Sequence, residues 1–160
     1  MITKDIGYQI DGKTYTGYLA EDETRTGKRP GVLVCHQGNG LTDHAKNRAR
    51  MLAELGYVAF ALDMYAEVAT SMEHAMALLS GLTRNPPELR KRASAGLQVL
   101  KAQASVDTNR LAAIGYCFGG GVVLDMARSG EDLAAVATFH GSLSSDLTAK
   151  KGIKDRKSVV

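Results

Sequence analysis

An α/β fold, with a mostly parallel sheet flanked by helices on both sides, is predicted by three features of the chain. Two short runs, Gly31-Val32-Leu33-Val34-Cys35 and Val58-Ala59-Phe60-Ala61-Leu62, are apolar throughout and suit strands buried on both faces. Stretches with apolar residues at helical spacing follow each run. The two patterns alternate along the chain, which is the signature of β-α-β units. With 160 residues and 44% hydrophobic content, one domain over 1–160 can bury an ordinary core without disulfide or metal staples.

The elements read in order. β-Prone runs at 6–10 and 15–19 surround Asp11-Gly12, a tight-turn dipeptide, and predict an N-terminal β-hairpin. Residues 21–30 are charged and turn-rich and connect it to the first buried strand. Ala45, Ala49, Leu52 and Leu55 define a helix with Thr42 or Asp43 as N-cap and Gly56 as its stop. After strand 58–62, Val68, Met72, Ala75, Met76 and Leu79 form a second apolar stripe ending at Gly81. Leu89, Ala93, Leu97 and Leu100 form a third, opened by Pro86-Pro87. Leu111 to Ile114 reads as a strand, a glycine-rich turn leads into a helix stopping near Gly130, and 133–139 is the last clear strand.

Charge and composition narrow the function. The formal charge is +3, and Lys150, Lys151, Lys154, Arg156 and Lys157 against Asp155 place a local +4 in residues 150–160, leaving −1 elsewhere. A nucleic-acid surface is therefore not expected, and the basic cluster reads as solvated. No apolar leader or bilayer-length run is present, so neither membrane nor export is expected. Two cysteines, Cys35 and Cys117, suit a reduced, cytoplasmic compartment. A disulfide between them stays open, since both fall near strand ends; two buried or semi-buried thiols is the favoured reading.

The chemistry concentrates at Gly115-Tyr116-Cys117-Phe118-Gly119-Gly120-Gly121. A strand before, a helix after and small residues on both flanks make this a nucleophile elbow, a sharp turn that strains the central residue and exposes its side chain. A thiol at a helix N-terminus faces unpaired amides and the positive end of the helix dipole, both of which favour thiolate, the nucleophilic form. The Phe118 amide is one candidate oxyanion donor and that of Gly38, in His36-Gln37-Gly38, the second. The competing reading is a cysteine that only fills a small-residue turn; the strand, helix and upstream glycine loop favour the elbow. The glycines lack a Gly-Lys-Ser/Thr ending and an early Gly-x-Gly-x-x-Gly, so no nucleotide site is expected.

Sites in parallel sheets lie outside the carboxyl ends of strands. Cys117, the loop His36-Gln37-Gly38-Asn39-Gly40, Asp63-Met64-Tyr65 and His140-Gly141-Ser142 all fall there. Gln37, Asn39, Tyr65 and Tyr116 are the expected pocket residues.

At these residues the chain resembles the dienelactone hydrolase family of the α/β-hydrolase superfamily, particularly members with a Gly-Tyr-Cys-Phe-Gly-Gly elbow. Pro30 to Gly38 is similar to that family's oxyanion strand and loop, Gly56 to Tyr65 to its next strand, and Phe139-His140-Gly141-Ser142-Leu143 to the strand after the elbow helix. The resemblance implies an α/β-hydrolase-like sheet and hydrolysis of a small-molecule ester or lactone by a Cys-Asp-His triad, without metal or cofactor. Cys117 carries over as nucleophile, with the Phe118 and Gly38 amides as the oxyanion hole. Where many members carry a glutamate near the resting cysteine, this chain has Gln37, which hydrogen-bonds but does not accept a proton as a carboxylate does.

The family's acid and histidine lie further along than Val160, so the fold is expected to lack the last strands and helix. His36 and His140 are then the possible substitute bases, although a backbone-bonded His36 and a pocket-lining or structural His140 are the simpler roles. His44 and His74 read as surface or helix-packing residues, Asp63 as shaping its loop, and Asp125, Asp132, Asp146 and Asp155 fall outside the triad place. Arg84, Arg90 and Arg92 are candidates to meet a substrate carboxylate, and more simply helix-surface residues. An exposed edge beside 133–139 is expected to make the chain a homo-oligomer, with Ile153 to Val160 contributing. Three functions compete: an esterase or lactonase with impaired turnover, completed by a substitute histidine or a second chain; a non-catalytic small-molecule binder; and a thiol-based redox or scavenging protein.

Overall fold

The structure, a computed structural model, describes residues 1–143. The basic cluster at 150–160, Asp146, Asp155 and the contribution of Ile153 to Val160 to self-association lie outside the described residues. Six strands and four helices follow one another as β1 (Ile2–Ile10), β2 (Lys13–Glu21), β3 (Arg29–Cys35), α1 (Asp43–Glu54), β4 (Val58–Leu62), α2 (Met72–Thr83), α3 (Pro86–Lys101), β5 (Val106–Tyr116), α4 (Phe118–Ser129) and β6 (Ala135–Phe139). The sheet order is β1-β2-β4-β3-β5-β6. β4, β3, β5 and β6 pair in parallel, and the β1–β2 hairpin joins the β4 side antiparallel. This is the α/β-hydrolase-like arrangement expected, with a sheet that is parallel in its core and antiparallel at one edge.

Alternate residues of each buried strand build two different layers. Leu33 and Cys35 of β3 and Val58, Phe60 and Leu62 of β4 face the large core shared with Leu89, Ala93, Leu97 and Leu100 of α3 and Val122, Val123 and Met126 of α4. Val34, Ala59 and Ala61 face the opposite side, where α1 presents Ala45, Ala49 and Ala53. Alanine against alanine lets α1 lie close on the sheet. The helix ends where the Gly56 N–H donates to the Ala53 carbonyl (2.9 Å) and the Tyr57 N–H to that of Leu52 (3.1 Å), a Schellman pair that turns the chain straight into β4. α3 begins as its sequence indicates, with Asn85 accepting the Glu88 N–H and prolines in the first turn.

Three expectations need correction. The hairpin strands and β5 run several residues beyond the apolar runs that identify them, because ladder pairing extends through polar positions on exposed faces. The stripe of α2 is not a core stripe: Met72 and Met76 are exposed and Leu82 alone is fully buried, and the helix continues through Gly81 to Thr83. Val68 precedes that helix and is exposed as well.

The close α1 contact generates a stability prediction. Ala49→Leu places three extra carbons where the side chain is already wholly buried and should cost about 1–3 kcal/mol in urea unfolding, whereas Ala77→Leu on the exposed side of α2 should stay within about 0.5 kcal/mol of wild type.

Candidate active site

β5 ends at Tyr116 and α4 begins at Phe118, so Cys117 alone makes the turn between strand and helix. Backbone crowding explains the flanking glycines. A methyl group on Gly115 would collide with the Gly119 carbonyl, and one on Gly119 with the carbonyls of Cys35 and His36. The Gly119 N–H donates to the His36 carbonyl (3.0 Å) and the Cys117 N–H to that of Phe139 (2.9 Å), tying the elbow to the ends of β3 and β6. Cys117 is held at φ 54°, ψ −115°, a conformation that costs a side-chain-bearing residue of order 1–3 kcal/mol and survives only when its surroundings dictate it. Its thiol is free and exposed; that of Cys35 is free and buried, with burial pushing its titration far up. The two cysteines are therefore unlinked, and Cys117 is not one of two buried thiols.

The first turn of α4 leaves one amide over. The Gly119 N–H is taken by His36, and those of Gly120 and Gly121 reach the Cys117 carbonyl at 3.0 and 3.4 Å. The Phe118 N–H, at the first helical position where no intrahelical acceptor exists, has no acceptor among the described residues. Gly38 sits in a turn closed by the Gly40 N–H on the Gln37 carbonyl (3.3 Å), and a methyl there would lie 3.2 Å from the Leu79 side chain of α2. The Gly38 N–H likewise has no acceptor among the described residues.

His36 is placed differently from a general base. Its Nε2 accepts the Met64 N–H (3.1 Å) and its Nδ1 donates to the Gln37 carbonyl (2.6 Å), which defines a neutral ring protonated on Nδ1. The ring is wholly buried, and burial holds its titration below the ordinary imidazole value. With both nitrogens committed to backbone, His36 has no lone pair left for Cys117, so the geometry favours its structural reading over that of substitute base. His140 is exposed at positive φ, 43°, just after β6, and no hydrogen bond joins it to Cys117 among the described residues.

Aromatic residues surround the elbow. Tyr65 is buried edge-on to His36 (ring centroids 5.0 Å apart) and lies against Phe118 (5.4 Å). Tyr116 stacks on Phe139 at 4.7 Å and takes the edge of His44 at 4.9 Å. His44, expected only to pack or face solvent, is thus a neighbour of the elbow. Burial first, then the charges of Arg48 and His140, push its titration down. Nothing in its helical spacing distinguishes it; its relevance comes from α1 lying close over Tyr116. Gln37 is half-buried with its carbonyl committed to His36, and Asn39 is exposed with its carbonyl accepting the Ala69 N–H (2.9 Å).

The remaining polar groups serve the frame. Asp63 Oδ1 accepts the Tyr65 and Ala66 N–H groups (3.0 and 2.9 Å), so it shapes its loop. Asp125 is paired with Arg90 through two bonds (2.8 and 3.1 Å), and Arg92 binds Glu88 (2.7 Å) and the Met64 carbonyl (2.8 Å). Both guanidinium groups are thus already engaged within the fold. Among the described residues, no group of three or more His, Cys, Asp or Glu side chains is arranged to hold a metal, and no helix is long and apolar enough to cross a membrane.

The buried neutral His36 predicts a pH effect. Because its folded value lies below its unfolded one, the unfolded chain binds the proton more readily; the stability held by the neutral ring is complete above the unfolded value and is lost as pH falls. Thermal melts should show a larger drop between about pH 7.5 and about pH 5.5 in wild type than in His36→Gln, and equal drops would show that the ring is not held neutral.

Comparison with known proteins fits this geometry. The sequence profile of the dienelactone hydrolase family matches residues 15–156. A protein of Yersinia pestis assigned as a carboxymethylenebutenolidase is 27% identical over 142 residues, 86% of this chain and 52% of the relative. One of Bradyrhizobium assigned as a 2-oxo-3-(5-oxofuran-2-ylidene)propanoate lactonase is 30% identical over 141 residues, 87% of this chain and 55% of the relative. The chain spans about half the length of these curated relatives. Among solved structures, a dienelactone hydrolase-like promiscuous phosphotriesterase from metagenomic libraries superposes with TM-score 0.92 at 38% identity, covering 98% of this chain and 66% of that one. Sequence profile, strand order and elbow agree, and the chain belongs to the dienelactone hydrolase family.

Proposed function

We propose that the chain carries the nucleophile and oxyanion hole of an ester- or lactone-cleaving hydrolase. The observation that carries this reading is the exposed Cys117 thiol, held at positive φ on the N-terminus of α4. The thiolate attacks the carbonyl carbon; as the C–S bond forms, the carbonyl electron pair moves onto oxygen, and the Phe118 and Gly38 amides donate hydrogen bonds to that developing oxyanion. Collapse restores the carbonyl and breaks the C–O bond; the alkoxide takes a proton from solvent, departing as the alcohol from an ester or staying tethered as the hydroxyl of the opened ring from a lactone, and leaves an acyl-thioester on Cys117. Gln37, Asn39, Tyr65 and Tyr116 border the acyl group. The names of the curated relatives support a small lactone as the substrate class.

Hydrolysis of the thioester needs a base to activate water. Neither histidine proposed for that task is hydrogen-bonded to Cys117 among the described residues, and His36 is committed elsewhere. The proposal therefore includes acylation that outruns deacylation in this chain. It also includes self-association along β6, which has no strand on its outer side among the described residues, and a cytoplasmic setting that suits two free thiols.

Time-resolved mass spectrometry with p-nitrophenyl acetate tests the proposal. We expect one acetyl group on the Cys117 peptide, a nitrophenol burst of one equivalent followed by slow release, and neither in Cys117→Ala. Absence of the adduct would remove the nucleophile from Cys117; rapid adduct decay with many turnovers would contradict slow deacylation.

A further inference from the structure

The apolar stripe of α2 has no task in the reaction above, yet one of its residues reaches the site. Met72 and Met76 are exposed, whereas Leu79, one turn further on, is half-buried at the margin of the large core. Its side chain extends to the loop after β3. A methyl group on Gly38 would lie 3.2 Å from Leu79 Cδ1, tighter than such contacts ordinarily are, and would meet no other neighbour within 4 Å among the described residues.

The way the rest of that loop is held makes this contact matter. His36 is tied through its ring to the Met64 N–H (3.1 Å) and through its carbonyl to the Gly119 N–H (3.0 Å). The Gln37 carbonyl accepts from Gly40 (3.3 Å) and that of Asn39 from Ala69 (2.9 Å). Gly40 is blocked as well, since a Cβ there would meet the Glu67 carbonyl at 2.7 Å. Gly38 lies between these ties, and its own N–H has no acceptor among the described residues. Glycine also leaves the backbone freer to rotate than any other residue would. On the side where a Cβ would project, Leu79 is therefore the neighbour that limits where the amide lies.

We propose that Leu79 is a positioning residue for the oxyanion hole: its side chain backs Gly38 and keeps the Gly38 amide aimed at the developing oxyanion. Leu79 carries no proton and no charge, so its whole effect is geometric. An amide displaced from hydrogen-bonding range gives up part of the stabilisation it supplies to the transition state. This inference rests on the reading of Cys117 as nucleophile and the Gly38 amide as oxyanion donor, but not on turnover.

Two reactions of Cys117 separate this role from a general loosening of the fold. Acetylation by p-nitrophenyl acetate passes through an oxyanion; alkylation by iodoacetamide displaces iodide at a saturated carbon and needs no oxyanion hole. Both are followed by peptide mass spectrometry, so that buried Cys35 is scored separately. In Leu79→Ala, acetylation should be roughly tenfold slower, a partial loss compared with the about 10²–10³ for removing a donor outright, while alkylation keeps its wild-type rate. Leu79→Val, which withdraws the Cδ1 contact but keeps most of the core bulk, should slow acetylation in the same direction, so the test stands even if the alanine variant does not fold. Leu78→Ala trims the adjoining residue, half-buried against the same core, and should leave both rates at wild type. Gly38→Ala presses a methyl onto Leu79 and should slow acetylation; in Gly38→Ala/Leu79→Ala that methyl takes part of the vacated space, and acetylation should be faster than in Leu79→Ala. Wild-type acetylation in both Leu79 variants, an equal slowing of alkylation, an equal effect of Leu78→Ala, or losses that add in the double variant would each overturn this inference alone. A wild-type protein that is not acetylated on Cys117 would overturn it together with the nucleophile assignment.

Discussion

The site depends on how closely three backbones approach at the end of β5. Gly115 and Gly119 touch across the turn, and Gly119 touches the ends of Cys35 and His36, so a single residue has to reverse from strand to helix within that space. Cys117 takes the strain, and two bonds hold it there, its own N–H to Phe139 and the Gly119 N–H to His36. Those bonds reach the strands on either side of β5. The conformation of Cys117 is thus a property of the sheet and not of the loop, which is how a conformation costing of order 1–3 kcal/mol is maintained.

The same sheet decides which side chains can meet. Parallel register brings the ends of β3, β4, β5 and β6 to one edge, so His36, Asp63, Cys117 and His140 arrive together although they are spread over most of the chain. Alanines on one face let α1 approach until His44 meets Tyr116. On the other face, bulky residues of β3 and β4 pack against α3 and α4, and Arg92 from α3 anchors the loop that carries Tyr65. The electrostatics follow from that packing: burial keeps His36 neutral and Tyr65 protonated.

Much of this was legible in the sequence because it depends on local pattern. The fully apolar runs at 31–35 and 58–62 are buried strands, and the glycines around Cys117 are placed where a Cβ would collide. The apolar stripe of Met72 and Met76 misleads because periodicity reports an amphipathic face without saying what covers it. The commitment of His36 was beyond the sequence, since it depends on the Met64 N–H, contributed by the end of a neighbouring strand, as well as on the adjacent Gln37 carbonyl. The contact of Leu79 with Gly38 was beyond it for the same reason: it joins a helix to a loop distant in sequence.

The central claim is that Cys117 stays strained while it carries an acyl group, with that group's oxygen between the Phe118 and Gly38 amides. A crystal structure of the protein trapped as its acetyl-thioester tests it most directly. The account predicts Cys117 still at positive φ and the thioester oxygen within hydrogen-bonding distance of both amides, about 2.7–3.2 Å. A Cys117 relaxed to negative φ, or a thioester oxygen turned away from both amides, would contradict it.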